Sequence, residues 1–237
     1  MKILIADQRP QVCKAVIDQF GKQHEIKVTV DGERALTLCR KIVPDVLLLD
    51  MELPRLDGLS ILRAIRSAGL HTLVIVSSSC IDSDYVMRQL VQLGVKYFLP
   101  KPCVNSAVVN RVYEMICMAE NRTWNIEDEV NSLLLSLGMK MTLSGYPCIR
   151  DALIMLMQDN SRQLTKYIYP EIALKYGGSA DRIERVMRTA ISSAWKRRDE
   201  NMWRMYFEAD RNDVLKCPTN GHFLARLSLC VDRRKIG

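Results

Sequence analysis

Between Lys2 and Met118 the hydrophobic positions alternate between two kinds of run. Short apolar, β-branched stretches at Lys2–Ala6, Glu25–Val30, Val46–Asp50, Thr72–Ser77 and Tyr97–Leu99 predict five strands. Three of these show little polar alternation, as expected of strands covered on both faces. Between and after them, Gln11–Phe20, Glu33–Lys41, Gly58–Ala68, Asp84–Gln92 and Ser106–Met118 repeat their apolar residues at helical spacing. Strands alternating with amphipathic helices predict an α/β doubly wound, five-stranded parallel sheet of the flavodoxin-like kind.

The pattern breaks at the polar segment from Glu120 to Asp128, read as a linker (120–128) between domains at 1–119 and 129–237. Beyond it the strand signal disappears. Asp128–Leu137, Ile149–Asp159, Gln163–Tyr176, Ala180–Arg197 and Gly221–Val231 all carry helical spacing, so the second domain is expected to be all-α.

Composition narrows the class. With 48% hydrophobic residues the chain can bury a core without covalent staples, and no apolar run approaches the roughly 20 residues that span a bilayer. The start is too soon interrupted by Asp7 to serve as a signal peptide, so the cytosol is the expected location and no membrane partner is expected. The eight cysteines form no C-x-x-C pair and the three histidines are isolated, which disfavours a metal or catalytic role for either. The net charge of +7 is uneven: Lys and Arg number 15 against 13 acids up to Glu120, and 19 against 14 beyond it. A basic second half permits nucleic acid as a partner.

In open α/β sheets the site forms at the carboxyl ends of the strands. The polar residues there are Asp7, Asp50, Ser77 and Lys101, on four different strands. Asp50 projects a carboxylate from a buried strand and can accept a phosphoryl group as a nucleophile. Ser77 could hydrogen-bond the product and Lys101 neutralise it, with Mg²⁺ or another divalent cation held by Asp7 and Asp50.

The stretches Ile3–Asp7, Leu48–Pro54 with Asp57-Gly58, Val76–Ser78 and Phe98–Pro102 resemble the bacterial response-regulator receiver family. The resemblance implies that Asp50 is the phosphoacceptor and that Glu52 gives its backbone carbonyl to the metal. It also implies that Ser77 is the switch hydroxyl, Lys101 the phosphate partner and Phe98 the aromatic switch. A histidine kinase or phosphotransferase would be the donor, and Lys101–Pro102 is a candidate cis peptide. One residue departs: the family opens with two adjacent acids, and here Gln8 follows Asp7. Gln8 can offer an amide oxygen to a metal but no charge, so weaker metal affinity is expected. That leaves an alternative reading open, a receiver with little or no phosphorylation that acts by phosphate-independent pairing or as a non-DNA-binding antagonist.

In the second half, Gln163–Tyr176 ends at Gly177-Gly178, and Ser179 can cap the helix that follows. That helix sets Ile183, Val186 or Met187, Ala190, Ile191 and Ala194 on one side and Arg182, Arg185 and Arg188 on another. Helix, glycine turn, helix is the helix-turn-helix plan, whose second helix enters the major groove, where arginine pairs with guanine. Paired carboxylates or a nucleophile–base set are lacking in this half, so an enzyme is not expected. The stretches Ser144–Tyr146, Arg150–Ala152, Leu164–Lys166, Tyr169–Ala173, Ala180–Arg188, Ala190-Ile191, Ala194-Trp195 and Lys216–Asn220 with Phe223 are similar to the DNA-binding domain family of stage 0 sporulation protein A. That likeness implies contacts from Arg182, Glu184, Arg185, Arg188 and Thr189 to tandem DNA elements related to TGTCGAA. It further implies a homodimer on activation, and RNA polymerase with its sigma factor as a partner. Residues Asn201–Leu215, where the family meets sigma factor, read differently.

Overall fold

The computed structural model describes residues 1–79, 84–120, 125–210 and 213–231. Two compact units divide the chain, Met1–Arg122 and Thr123–Gly237.

In the first unit five strands, β1 (Lys2–Ala6), β2 (Glu25–Thr29), β3 (Val46–Asp50), β4 (Leu73–Ser78) and β5 (Tyr97–Pro100), form one parallel sheet in the order β2-β1-β3-β4-β5. The helices α1 (Pro10–Phe20), α2 (Gly32–Ile42), α3 (Gly58–Ser67), α4 (Asp84–Gln92) and α5 (Asn105–Ala119) alternate with them. Every residue of β3 is buried, which explains its unbroken apolar sequence. Leu4, Ala6, Leu47, Leu49, Val74 and Val76 pack with α2, α3 and α4, while the residues between them turn to the opposite face. Asp31 caps α2 through the Arg34 amide and Asp57 caps α3 through the Ser60 amide. The chain order reverses between β1 and β3, so a crevice opens at their carboxyl ends.

The second unit is helical: α6 (Ile126–Ser136), α7 (Gly145–Gln158), a π-helical turn (Leu164–Ile168), α8 (Tyr169–Tyr176), α9 (Ala180–Lys196), α10 (Glu200–Arg204) and α11 (Asn220–Cys230). Its core gathers on Trp203, which is fully buried, donates from Nε1 to the Leu137 carbonyl at 3.2 Å, and packs against Trp195, Phe207 and Phe223. Gly145 lets α7 lie directly on α9, because a Cβ there would stand 2.1 Å from the Val186 carbonyl oxygen.

Three features differ from the sequence reading. Helix α6 starts at Ile126, inside the segment read as linker, because Asn125 and Asp128 form a reciprocal capping box; residues 121–124 of that segment lie outside the described residues. The span Gln163–Tyr176 is not one α-helix. Pro170 has no N–H to give to a carbonyl four residues back, and a wider turn precedes it, closed by the Tyr169 amide on the Leu164 carbonyl. Finally, α10 went unforeseen; five residues capped by Asp199 are too few to show a period.

Candidate functional site

The crevice collects the predicted polar residues. Asp7 directly follows β1 and is fully buried, and Asp50 ends β3 and is nearly so. Asp50 stands beside Ser77 in strand register, and Lys101 follows β5. Lys101 Nζ donates to Asp50 Oδ1 at 2.5 Å and to Glu52 Oε2 at 2.6 Å, while the Glu52 amide also donates to Asp50 Oδ1 at 2.9 Å. Burial pushes the Asp50 carboxyl above the usual aspartate range, against the pull of the Lys101 ammonium. Burial acts on Glu52 the same way, but there Lys101, the Ser78 hydroxyl and the Ser79 amide outweigh it and bring Glu52 down to about 2. Lys101 loses by burial and gains more from the two carboxylates, so its ammonium is held on more firmly than usual. The Lys101–Pro102 peptide is cis. Phe98 is half-buried against the face that carries α2, α3 and α4.

The sequence reading missed Arg9. Its Nε and Nη2 donate to the two oxygens of Asp7 at 3.0 and 2.7 Å, its backbone amide donates to Asp7 Oδ1 at 2.8 Å, and Nη2 lies 3.2 Å from Ser77 Oγ. Gln8, the residue in the position of the second acid, turns its amide nitrogen to the Glu52 backbone carbonyl at 2.7 Å. A carbonyl accepts and cannot donate, so the Gln8 oxygen faces away from it. At the expected metal set of Asp7, Asp50, the Glu52 carbonyl and Gln8, Arg9 engages both oxygens of Asp7, Lys101 pairs with Asp50, and the Gln8 amide nitrogen engages the carbonyl. Among the described residues no three His, Cys, Asp or Glu side chains are arranged to hold a metal ion. The signal for Arg9 was its place, a cation directly after the position where an acid is missing.

In the second unit, Gly177 and Gly178 take φ of 78° and 109°, a conformation glycine adopts without strain, and Ser179 accepts from the Arg182 amide to start α9. Ile183, Met187, Ala190, Ile191 and Ala194 are buried, which places Met187 rather than Val186 in the core. Arg182, Glu184, Arg185, Arg188 and Thr189 are exposed. They do not all project alike. Arg188 Nη1 donates to the Pro218 carbonyl, and Thr189 Oγ1 donates back to the Arg185 carbonyl at 2.9 Å. The Asn220 amide donates to the Glu184 carbonyl at 2.9 Å, so the loop before α11 rides on α9. Asp151 accepts from Lys175 Nζ at 2.6 Å, from the Tyr176 hydroxyl at 2.7 Å and from Arg150, tying α7 to the end of α8 just before the glycine turn. No helix among the described residues is long and apolar enough to cross a membrane.

Residues 3–113 match the family model described as "Response regulator receiver domain", and residues 130–231 match "Sporulation initiation factor Spo0A C terminal". Solved structures similar to the chain include the receiver domain of Francisella response regulator 1452 (29% identity, 48% of this chain and 94% of that one, TM-score 0.42). The BeF3-activated receiver domain of Klebsiella pneumoniae RstA is another (24%, 49% and 98%, 0.41). The chemotaxis protein CheY4 of Vibrio cholerae is a third (20%, 48% and 97%, 0.42).

Proposed function

Since the chain is a response regulator that joins a receiver domain to a Spo0A-type DNA-binding domain, we propose that it is a sequence-specific transcription regulator of sporulation or related stationary-phase genes, switched at Asp50. The observation that carries this reading is the division of α9, with one side buried in the core and Arg182 and Arg185 exposed on the other. A helix so held presents guanidinium groups at fixed spacing, which suits bidentate pairing with guanine and contact with phosphate.

In the receiver, Asp50 is the acceptor, Lys101 and Ser77 hold the phosphoryl oxygens, and Phe98 follows the change at Ser77. A histidine kinase or phosphotransferase supplies the group. Receiver pairing then sets two α9 helices on tandem DNA elements and raises their effective concentration, with RNA polymerase as the downstream partner. The protein acts in the cytoplasm, and by binding rather than by turnover. Receiver domains typically bind Mg²⁺ at this position; a bound divalent ion would neutralise phosphoryl charge, but the Arg9–Asp7 pair and the Gln8–Glu52 contact do not fit one.

Fluorescence anisotropy with a duplex carrying a TGTCGAA-related element tests the DNA half. Arg185→Ala should cost about 1–3 kcal/mol of specific binding, and binding should fall steeply with salt; unchanged affinity refutes the assignment of α9. Intact-mass detection after treatment with a small phosphodonor tests the switch, with Asp50→Asn as the control. A second reading, favoured by Gln8 in the place of the second acid, keeps DNA binding and dispenses with phosphate. It predicts equal affinity before and after phosphodonor treatment.

A further inference from the structure

We propose that Arg9 is the resident cation of the receiver pocket, standing in for a divalent metal, so that Asp50 takes up a phosphoryl group with no metal present. The proposal rests on Asp50 being the acceptor and adds how the charge around it is balanced.

Three observations point the same way. First, Arg9 folds inward. Its side chain is 26% exposed although it lies just beyond the end of β1, and it binds Asp7 in the planar two-point manner that matches a carboxylate. Second, its Nη2 continues from Asp7 to Ser77 Oγ at 3.2 Å, and its Nη1 reaches Cys103 Sγ at 3.2 Å. Ser77 is the strand neighbour of Asp50. The guanidinium thus links Asp7, after β1, to the β4 residue beside Asp50. Third, the other oxygen such an ion would use, the Glu52 carbonyl, accepts from Gln8.

The charges agree with this placement. Asp7, Asp50 and Glu52 are met by Arg9 and Lys101, with further donors on Glu52 from Ser78 and the Ser79 amide. Arginine keeps its charge at any pH the protein meets, so this cation is neither diluted away nor titrated. The transfer needs no further co-reactant. An Asp50 carboxylate oxygen attacks the phosphorus of an acyl phosphate or of a phosphohistidine protonated on its other ring nitrogen; the new O–P bond forms as the donor's P–O or P–N bond breaks, and the electron pair leaves with the carboxylate or the neutral imidazole. Lys101, paired with Asp50, meets the added oxygens, and Arg9 stands on Ser77 beside them; nothing is oxidised or reduced.

The test uses the full chain and beryllium trifluoride as the phosphoryl mimic, read by hydrogen exchange of β3, β4 and β5. Equal protection in excess EDTA and in Mg²⁺, lost in Asp50→Asn, is the expected result. Calorimetric titration of Mg²⁺ should give no saturable heat with the wild type. The double variant Gln8→Asp/Arg9→Asn should bind Mg²⁺ and make the response to the mimic depend on it. Gln8→Asp alone keeps Arg9 and should still bind none, which holds the test open if the double variant does not fold. Saturable Mg²⁺ binding by the wild type, or a response that requires Mg²⁺, overturns the proposal while leaving Asp50 as the acceptor. No response in either buffer overturns the acceptor reading and the metal-free uptake together.

Discussion

Replacing Gly145 with alanine tests how α9 is seated. The added Cβ would lie 2.1 Å from the Val186 carbonyl oxygen and 3.0 Å from the Ala190 Cβ. An ordinary carbon–oxygen approach is about 3.3 Å, so α7 and α9 must separate by about 1.2 Å at this crossing. The obstacle is backbone within a helix, so no side-chain rotation relieves it. Overpacking of this kind costs about 1–3 kcal/mol. The smaller freedom of alanine in the unfolded chain returns about 0.4–1 kcal/mol, leaving a net loss of about 1–2 kcal/mol. The two units need not unfold together, so the second is followed by urea titration of tryptophan fluorescence, for which the fully buried Trp203 serves as reporter. DNA affinity should fall with it, because Val186 is on α9 between Arg185 and Arg188. A midpoint that stays the same or rises would refute the close approach of α7 and α9.

Three further outcomes follow from the geometry. Arg9→Ala strips a fully buried carboxylate of its partner; breaking such a pair costs about 3–5 kcal/mol when both groups are buried, and with Arg9 26% exposed about 2–3 kcal/mol is expected, seen as faster hydrogen exchange in β1 and β3, whereas unchanged exchange would count against the pair. Burial works to raise the Asp151 carboxyl, but Lys175, Tyr176 and Arg150 outweigh it and hold it below the usual range; its contribution to stability is therefore complete above about pH 4, the unfolded value, and lost as the pH falls below it, so Asp151→Asn should flatten the acid limb of the tryptophan-monitored stability curve. Arg188→Ala should weaken DNA binding less than Arg185→Ala, since the Arg188 guanidinium is tied to the Pro218 carbonyl, and should cost about 1 kcal/mol of stability as an exposed charge-assisted hydrogen bond; equal losses of affinity in an anisotropy titration would show that Arg188 leaves that carbonyl for DNA.

The period of hydrophobic residues was enough to locate all five strands, because β1, β3 and β4 are buried on both faces and their apolar runs have sharp ends. The start of α9 was legible from its cap at Ser179. The π-helical turn was not, since its cause is the missing donor of Pro170 and its apolar spacing passes for α-helix over so short a span. In the pocket, Asp7, Asp50, Ser77 and Lys101 could be picked out because strand ends converge at a topological switch. The Arg9 clamp and the Gln8 contact depend on how two side chains fold back over a buried carboxylate, and spacing along the chain carries no record of that. The Gly145 approach to Val186 is likewise a long-range packing fact, for which the sequence offers a lone glycine at a helix start.

The chain at Pro218 and the first residue of α11 are each fastened to α9, by Arg188 donating to the Pro218 carbonyl and the Asn220 side chain donating to the Glu184 carbonyl. Lys216 and Thr219, both exposed, flank the stretch so held. The Pro218 anchor is a backbone oxygen, so the side chains next to it can change while this hold on α9 is kept.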